Sequence, residues 1–298
     1  SPQAEGISLT PKRKAKNDRQ KRNSTFFASY SCLLKKKVMR VDKENWKKLD
    51  INVDSLWLIG PRAKGGKHSN FYHGNFAPQI PNQMIRRYTE KGDTIVDIFM
   101  GSGTTLFECE TLNRNYIGFD INPEVIDYVN EKMKDSSDVE YFIHHCDVTS
   151  NKTSSLIRSD LESLSKKKLD MLIAHPPYLD VIKFTDKPED LSHISDTNVF
   201  IKQFISSIKN AYVHLKKRGY VILVAGDVYK NCEVIPLGFY LMYAIKKHFK
   251  VLLKGIVIKD IVGNRAKIGQ ETLWKYRALK NGNYLFKHEY VFVFRKEE

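Results

Sequence analysis

The sequence predicts an α/β protein with a doubly wound, mostly parallel, seven-stranded sheet of the Rossmann-like type. Three observations lead to this prediction. Apolar runs of strand length alternate with amphipathic stretches of helix length from about residue 78 onward. The first of these strands leads into a glycine-rich turn, MGSGTT. The 298 residues, 42% of them hydrophobic, are enough for one large domain plus an extension.

The elements follow one another in a regular order. The first is a helix, PNQMIRRYTEK, in which Met84, Ile85 and Tyr88 share one face. The long helix that begins NVFIKQF is expected to end at Gly219, since glycine favours helix ends. The other predicted strands and helices are, in chain order, TIVDIF, TLFECETLN, NYIGFDI, PEVIDYVNEKMKD, VEYFIHHCD, KLDMLIAH, YVILVAGD, PLGFYLMYAIKKHF and the closing strand pair KVLLKGIVIKDI and HEYVFVFRK.

Composition divides the chain into three parts. Residues 1–24 have almost no apolar content and are predicted to be a disordered basic tail. Residues 25–70 mix aromatic side chains with lysines and are predicted to be a basic extension suited to contact with a polyanion. Residues 71–298 form the main domain. No apolar run is long enough to cross a bilayer and the start lacks a signal-peptide core, so we expect a cytoplasmic, DNA-associated protein.

The charge of the chain indicates a polyanionic partner. Lysine and arginine number 49 against 34 acidic residues, a formal net charge of +15. Nucleic acid is the simplest partner, because each phosphate contact releases a counterion. A solvated basic tail without a partner is the alternative explanation. The four scattered cysteines suggest neither a zinc site nor a disulfide framework.

The segment DIFMGSGTT lies between a predicted strand and helix and predicts a cofactor site. Glycines let the backbone approach a ligand, and the helix N-terminus offers N–H groups to an anion. Asp120 ends the next strand, where a carboxylate can accept ribose hydroxyls, and Asp147 ends the third, within reach of an adenine. A dinucleotide and S-adenosylmethionine both fit, but the turn is not G-x-G-x-x-G, which argues against pyrophosphate. The candidate cofactor-binding residues are Asp97, Phe99, Gly101, Ser102, Gly103, Thr104, Thr105, Asp120, Asn122 and Asp147.

A second unusual segment, AHPPY, follows the fourth predicted strand. Neither Pro176 nor Pro177 has an N–H for a strand ladder, so the chain must leave the sheet in a stiff, extended turn. Such a turn holds Tyr178 in a fixed place. His175, Pro176, Pro177 and Tyr178 are the candidate catalytic residues.

The two segments together resemble motifs of the amino-group DNA methyltransferases, which methylate N4 of cytosine or N6 of adenine. DIFMGSGTT is similar to their cofactor motif D-x-F-x-G-S-G-T-T, and AHPPY is similar to their catalytic motif [D/N/S]-P-P-[Y/F/W]. FYHGNFAPQIPNQMIRRYTEKGDT and HEYVFVFRK resemble the segment before the cofactor motif and the last strand. The resemblance covers roughly residues 68–298. It implies a class I methyltransferase fold, S-adenosylmethionine as the cofactor, double-stranded DNA as a partner and a cognate restriction or specificity subunit as another.

The resemblance also implies roles at the proline turn. In the family, the first side chain of the motif and the first proline's carbonyl accept hydrogen bonds from the amine of a flipped base, and the aromatic ring stacks on it. His175 stands where the family has Asp, Asn or Ser, and can accept only through a neutral ring nitrogen. An ordinary histidine pKa near 6.5 then predicts loss of activity at mildly acid pH. The alternative is that His175 points away and a backbone carbonyl or water accepts instead.

The target base and polymer stay open at this stage. In the family, serine at the position of His175 usually accompanies methylation at N4 of cytosine, and Asp or Asn accompanies methylation at N6 of adenine. Histidine fits neither rule, and we favour N4 of cytosine slightly. No cysteine precedes the prolines, which makes a covalent mechanism at carbon 5 of cytosine improbable. An RNA or tRNA base methyltransferase and a catalytically inactive, nucleic-acid-binding methyltransferase fold are the alternatives.

Basic residues in two further segments are candidate nucleic-acid contacts. The stretch 259–283, predicted as a loop between two strands, mixes basic and aromatic residues, which suits phosphate contacts and stacking. PRAKGGKHS is a second basic loop. A solvated loop whose Trp274 packs on the core is the alternative for the first segment. The candidate residues are Arg62, Lys64, Lys67, Arg265, Lys267, Trp274, Lys275 and Arg277.

Overall fold

A computed structural model describes residues 46–69, 74–136, 139–262 and 271–297. The predicted tail, residues 25–45 and 70 of the predicted extension, and Arg265 and Lys267 lie outside the described residues. Residues Lys48–Glu298 form one compact unit.

The predicted α/β class is confirmed by a single large, mostly parallel sheet. Its strands lie in the order β1-β9-β10-β6-β5-β2-β3-β4, and only β10 runs antiparallel to its neighbours. A separate hairpin is formed by β7 and β8. The strands are β1 (Leu56–Trp57), β2 (Thr94–Asp97), β3 (Asn115–Asp120), β4 (Tyr141–His145), β5 (Leu169–Ala174), β6 (Leu215–Ala225), β7 (Val228–Lys230), β8 (Glu233–Ile235), β9 (Val251–Asp260) and β10 (His288–Lys296).

Helices cover both faces of the sheet. Alternate residues of one strand face opposite ways, so Ile95 packs in one apolar cluster and Val96 in the other. The first cluster joins the sheet to α1–α3, and the second joins it to α4–α6. The helices are α1 (Gln79–Tyr88), α2 (Thr104–Leu112), α3 (Pro123–Met133), α4 (Asn151–Ser163), α5 (Thr197–Tyr212), α6 (Leu237–His248) and α7 (Glu271–Asn281), with 3-10 turns at Trp46–Lys48 and Leu191–His193. Within the described ranges, none of these helices combines the length and apolarity that a membrane span requires.

The structure adds the helix α4 and the hairpin β7–β8 to the predicted elements, and it differs from the sequence prediction at three further places. The sheet has an eighth strand, β1, which pairs in parallel with β9. Helix α5 ends at Tyr212 instead of Gly219, because β6 already begins at Leu215 and Gly219 lies inside it. A Cβ at Gly219 would lie 2.9 Å from the Leu215 side chain, so close packing explains this glycine. Part of the predicted loop 259–283 is helix α7.

The topology brings the candidate site residues to one edge of the sheet. The parallel strands β2, β3, β4 and β5 end on the same side, and their carboxyl ends meet there. In open α/β sheets, this edge is where ligands bind.

Candidate active site

One cavity of about 780 Å³ opens at the carboxyl ends of these strands. It brings the glycine turn after β2 and the proline turn after β5 into the same space. Its lining also includes the segment before α1, the loop after the proline turn, and the ends of β9 and β10. The residues that line the cavity include Arg62, Phe76, Phe99, Gly101, Thr104, Asp120, Asp147, His175, Pro176, Pro177, Tyr178, Lys259 and Glu289.

The glycine turn places the N-terminus of α2 at the cavity. Gly101 and Gly103 have φ values of 53° and 81°, in the left-handed region that glycine adopts without a Cβ clash. A Cβ on Gly103 would also lie 3.0 Å from Val129 of α3. Helix α2 begins directly afterwards at Thr104, which lines the cavity. The turn thus aims a helix N-terminus at the ligand space.

Asp97 stabilises the start of the glycine turn by a hydrogen bond to its backbone. Its Oδ1 accepts the backbone N–H of Phe99 at 3.0 Å, and the residue is fully buried. Burial raises the pKa of Asp97 to about 6, although the Thr105 hydroxyl and the Phe99 N–H oppose the shift. Asp97 is absent from the cavity wall, so its part at the site is to shape the turn.

Asp120 ends β3 and faces the cavity. It accepts the Gly101 N–H at 2.8 Å and the Asn122 N–H at 2.9 Å, one on each oxygen. Burial raises the pKa of Asp120 to about 6, against the effect of these backbone donors. A carboxylate oxygen offers about two acceptor sites, so each oxygen keeps one for a ligand hydroxyl.

The other predicted cofactor residues divide into two groups. Phe99 and Asp147 line the cavity with Gly101, Thr104 and Asp120. Both oxygens of Asp147 accept the Thr149 hydroxyl, at 2.8 Å each. The second group lies behind the wall of the cavity and comprises Asp97, Ser102, Gly103, Thr105 and Asn122. Asn122 caps α3 by accepting the Glu124 N–H at 2.9 Å.

The proline turn leaves β5 at His175. Pro176 is buried, and His175, Pro177 and Tyr178 are half-buried on the cavity wall. The fully buried Leu179 follows with φ 53°, a conformation that costs a branched side chain free energy. Such strain at a ligand cavity is typical of functional turns.

His175 is packed so that its ring stays neutral. Its ring meets that of Phe76 edge-on, with the ring centres 5.0 Å apart. Burial lowers the pKa of His175 to about 4, with a smaller opposing effect from the Glu289 carboxylate. An acceptor nitrogen therefore persists well below neutral pH, and the expected activity loss at mildly acid pH has no basis in this histidine.

Tyr178 is anchored by hydrogen bonds at its hydroxyl. Its Oη lies 3.2 Å from Nε2 of His175 and donates to Oε2 of Glu289 at 3.4 Å. Gly226, at the end of β6, makes room for the ring, because a Cβ there would lie 3.0 Å from Cε2 of Tyr178. The stiff, fixed tyrosine that the two prolines predict is thus held from two further strands.

Two of the basic candidates in PRAKGGKHS have partners within the protein. Nη1 of Arg62 donates to the carbonyl of Phe76 at 2.7 Å, and Nη2 lies 3.3 Å from the Thr104 hydroxyl at the glycine turn. Lys67 pairs with Glu110 at 2.5 Å. Lys64 is exposed at the cavity rim.

The remaining described candidates lie on α7. Lys275 and Arg277 are exposed, and the Arg277 guanidinium lies 5.2 Å from the centre of the Trp274 ring. Lys259, the first residue of the predicted basic loop, belongs instead to β9, where it is buried and paired with Glu289 at 2.7 Å. A strand residue enclosed in this way cannot contact phosphates.

Sequence reasoning missed three of the residues that complete the site. Phe76 and Glu289 stood in segments recognised only by resemblance, and Lys259 was grouped with exposed lysines. Glu289 directly precedes the apolar run YVFVF in the strand HEYVFVFRK. A charged residue next to such a buried run was the signal available in the sequence.

Fold and site together define the class of the protein. An α/β sheet whose strands end in a glycine turn and a cavity-facing carboxylate, beside a rigid turn bearing an aromatic ring, suits a nucleotide-type cofactor next to a flat substrate. Comparison with known proteins agrees. The sequence model of the DNA methylase family matches residues 4–131.

Two curated relatives are named Type II methyltransferases. The chain is 31% identical to Type II methyltransferase M.BglI of Bacillus subtilis over 135 residues, which are 45% of this chain and 34% of that protein. It is 48% identical to Type II methyltransferase M.MjaII of Methanocaldococcus jannaschii over 52 residues, 17% of this chain and 10% of that one. The chain thus matches about a third or less of the length of these two relatives.

Solved structures with a similar fold include TrmN from Thermus thermophilus. The likeness covers 75% of this chain and 50% of that one, with a TM-score of 0.46 and 15% identity. The family model, matched over residues 4–131, and the curated relatives show that this chain is similar to DNA methyltransferases over part of its length. This similarity supports S-adenosylmethionine, the cofactor that the sequence resemblance implies.

Proposed function

We propose that the chain transfers a methyl group from S-adenosylmethionine to the exocyclic amino group of a cytosine or adenine flipped out of double-stranded DNA. Residues 71–298 form the catalytic domain. The observation that carries the proposal is the single cavity shared by the glycine turn and His175–Tyr178. Such a cavity can hold a cofactor and a flat base in contact.

The residues of the cofactor end suit S-adenosylmethionine. The carboxylate of Asp120 suits the ribose hydroxyls, and Asp147 suits the adenine amino group. The start of α2 and the Arg62 guanidinium beside Thr104 suit the carboxylate of the methionine part. We therefore assign Arg62 to the cofactor instead of to DNA phosphates.

The proline turn activates the amine in this proposal. When bound, S-adenosylmethionine would supply an electrophilic methyl group: the N–C bond to the amine would form as the S–C bond breaks, S-adenosylhomocysteine would leave, and the nitrogen would lose one proton. The amine is a poor nucleophile because its lone pair is delocalised into the base. A neutral ring nitrogen of His175 and the Pro176 carbonyl accept hydrogen bonds from the amine and draw it toward tetrahedral geometry. Tyr178 supplies the stacking surface, worth about 1–3 kcal/mol.

The proton of the amine goes to His175. Once the N–C bond has formed, the protonated aryl amine is strongly acidic, so even a weakly basic acceptor can take its proton. The enclosed cavity and the fixed turn supply orientation, which is the larger part of the rate enhancement in such displacements.

DNA contacts are proposed for exposed basic residues around the cavity. Lys64 lies at the rim, and Lys275 and Arg277 lie on α7 with Trp274. Arg265 and Lys267, outside the described residues, stay in this proposal on sequence grounds. The Type II names of the relatives support a role in a restriction–modification system, with a restriction enzyme as partner and the cytoplasm as the place of action.

The test is a methylation assay with isotopically labelled S-adenosylmethionine on mixed genomic DNA and, in parallel, on total tRNA. Nucleoside analysis by mass spectrometry then identifies N4-methylcytosine or N6-methyladenine. Label in DNA that is lost in His175→Ala supports the proposal. Label confined to tRNA, or cofactor binding without any transfer, would overturn it. Glu131→Gln, which removes a charge from an exposed ion pair with Lys134 on α3, serves as the control variant.

A further inference from the structure

A buried ion pair stands beside the proline turn. Lys259 of β9 and Glu289 of β10 occupy directly paired positions on these antiparallel strands. Their charged ends are 2.7 Å apart, and the two residues are only 7% and 8% exposed. Both line the cavity.

Stability does not account for this pair. Removing two charges from water costs several kcal/mol per ion, and apolar residues of similar volume are often equally stabilising. The residues that follow on β10, Val291, Phe292, Val293 and Phe294, are buried and apolar, so a charge at Glu289 departs from the pattern of its strand. A buried ion pair on the wall of a ligand cavity is therefore a candidate for a role at the site.

The pair is connected to the proline turn by hydrogen bonds. Lys259 occupies Oε1 of Glu289, and Oε2 accepts from the Tyr178 hydroxyl at 3.4 Å. The Tyr178 oxygen lies 3.2 Å from Nε2 of His175. The connection therefore runs from Lys259 through Glu289 and Tyr178 to the ring of His175.

The direction of the protons along this connection follows from the chemistry of the groups. A carboxylate paired with a lysine can only accept, so Tyr178 gives its single proton to Glu289. The Tyr178 oxygen is then left to accept from His175, which requires the proton of the neutral imidazole to be on Nε2. Nδ1 becomes the ring nitrogen with a free lone pair.

We propose that Glu289 and Lys259 are positioning residues that fix the Nε2–H tautomer of His175, so that Nδ1 is the acceptor offered to the amine of the target base. The opposite tautomer would present an N–H to an amine N–H, donor against donor. This role rests on the proposed function, because it supplies the acceptor that the transfer requires. Burial, which lowers the pKa of His175 to about 4, keeps the ring in the neutral form in which a tautomer exists.

The direct test is the tautomer of His175, read from ¹⁵N chemical shifts in the full chain with ¹⁵N-histidine and assigned with His175→Gln. We expect the Nε2–H form in the unaltered protein at pH 7. In Glu289→Gln an amide can donate to the Tyr178 oxygen, so the hydroxyl turns toward Nε2 and His175 shifts toward the Nδ1–H form. Tyr178→Phe, which keeps the ring and removes the hydroxyl, gives a mixture of both forms. Glu131→Gln is the matched control and keeps the original tautomer.

Activity provides the second readout. Glu289→Gln and Tyr178→Phe are each expected to lower turnover about 10- to 100-fold with cofactor affinity within about twofold, as for a misplaced acid–base group. An unchanged Nε2–H form in both variants, or the Nδ1–H form in the unaltered protein, would overturn the inference. The tautomer is measured without substrate. A protein that transfers no methyl group would therefore contradict the proposed function and leave the tautomer measurement valid.

Discussion

The two ends of the cavity are built in different ways. At the glycine turn, carboxylates accept backbone N–H groups from the turns beside their strands, such as Phe99 for Asp97 and Gly101 for Asp120. At the proline turn, side chains from remote strands converge, and Tyr178 and Glu289 are 111 positions apart. The first end is specified by a local motif, and the second depends on the whole sheet.

Burial also acts on the two ends in opposite directions. It raises the pKa of Asp97 and Asp120 to about 6, and it lowers the pKa of His175 to about 4. The same physical cause, burial, disfavours charge at both ends, so we expect cofactor affinity to fall before turnover does as the pH is lowered. The predictions below separate the two ends.

The largest effect is expected from His175→Ala. Loss of the acceptor should lower turnover about 100-fold or more, in the range that general acid–base groups supply. Affinity for S-adenosylmethionine should stay within about twofold, because His175 acts on the base. Single-turnover methylation and a cofactor binding titration measure the two quantities, and near-normal turnover would remove His175 from the mechanism.

Asp120→Asn should lower cofactor affinity and leave turnover nearly unchanged, the opposite of His175→Ala. A charge-assisted hydrogen bond is worth about 1.5–3 kcal/mol, so cofactor affinity should fall about 10- to 100-fold. Turnover at saturating cofactor should change far less. Isothermal titration measures the affinity, and a variant that binds normally would exclude Asp120 as a ribose acceptor.

The pH dependence should show two separate limits. Cofactor affinity should fall about tenfold per pH unit below about 6, as Asp120 takes up a proton in the free protein. Turnover at saturating cofactor should persist toward pH 4, since only then does His175 become charged. Binding titrations and single-turnover rates between pH 4.5 and 8 test this order. A common limit near pH 6.5 would show that His175 titrates as an ordinary histidine.

The smallest effect is expected from Gly226→Ala. The added Cβ would lie 3.0 Å from the Tyr178 ring and displace it, lowering turnover several-fold and stability by about 1 kcal/mol. Gly255→Ala, on β9, is the control, because a Cβ there meets no atom within 4 Å. Thermal melts and turnover rates measured on both variants decide the matter. Equal behaviour of the two would mean that Tyr178 has room to move.

The sequence was informative where contacts are local. The strand, turn and helix around Gly101 and Gly103 follow from residue types within a short segment, and the structure confirms their order. Gly219 misled the prediction, since a glycine that permits close packing inside a strand looks the same as a helix terminator. The ion pair of Lys259 and Glu289 could not be predicted, because only the register of β9 and β10 brings the two residues together.

The two-residue strand β1 has a consequence for how the chain can be shortened. Leu56 and Trp57 cover one edge of the large sheet, and Trp57 is paired with Lys259 itself. A chain trimmed past this point would leave β9 with a row of unsatisfied backbone groups, which is a template for pairing with another molecule. We expect such a fragment to self-associate, and its loss of activity would then report on aggregation as much as on the removed residues.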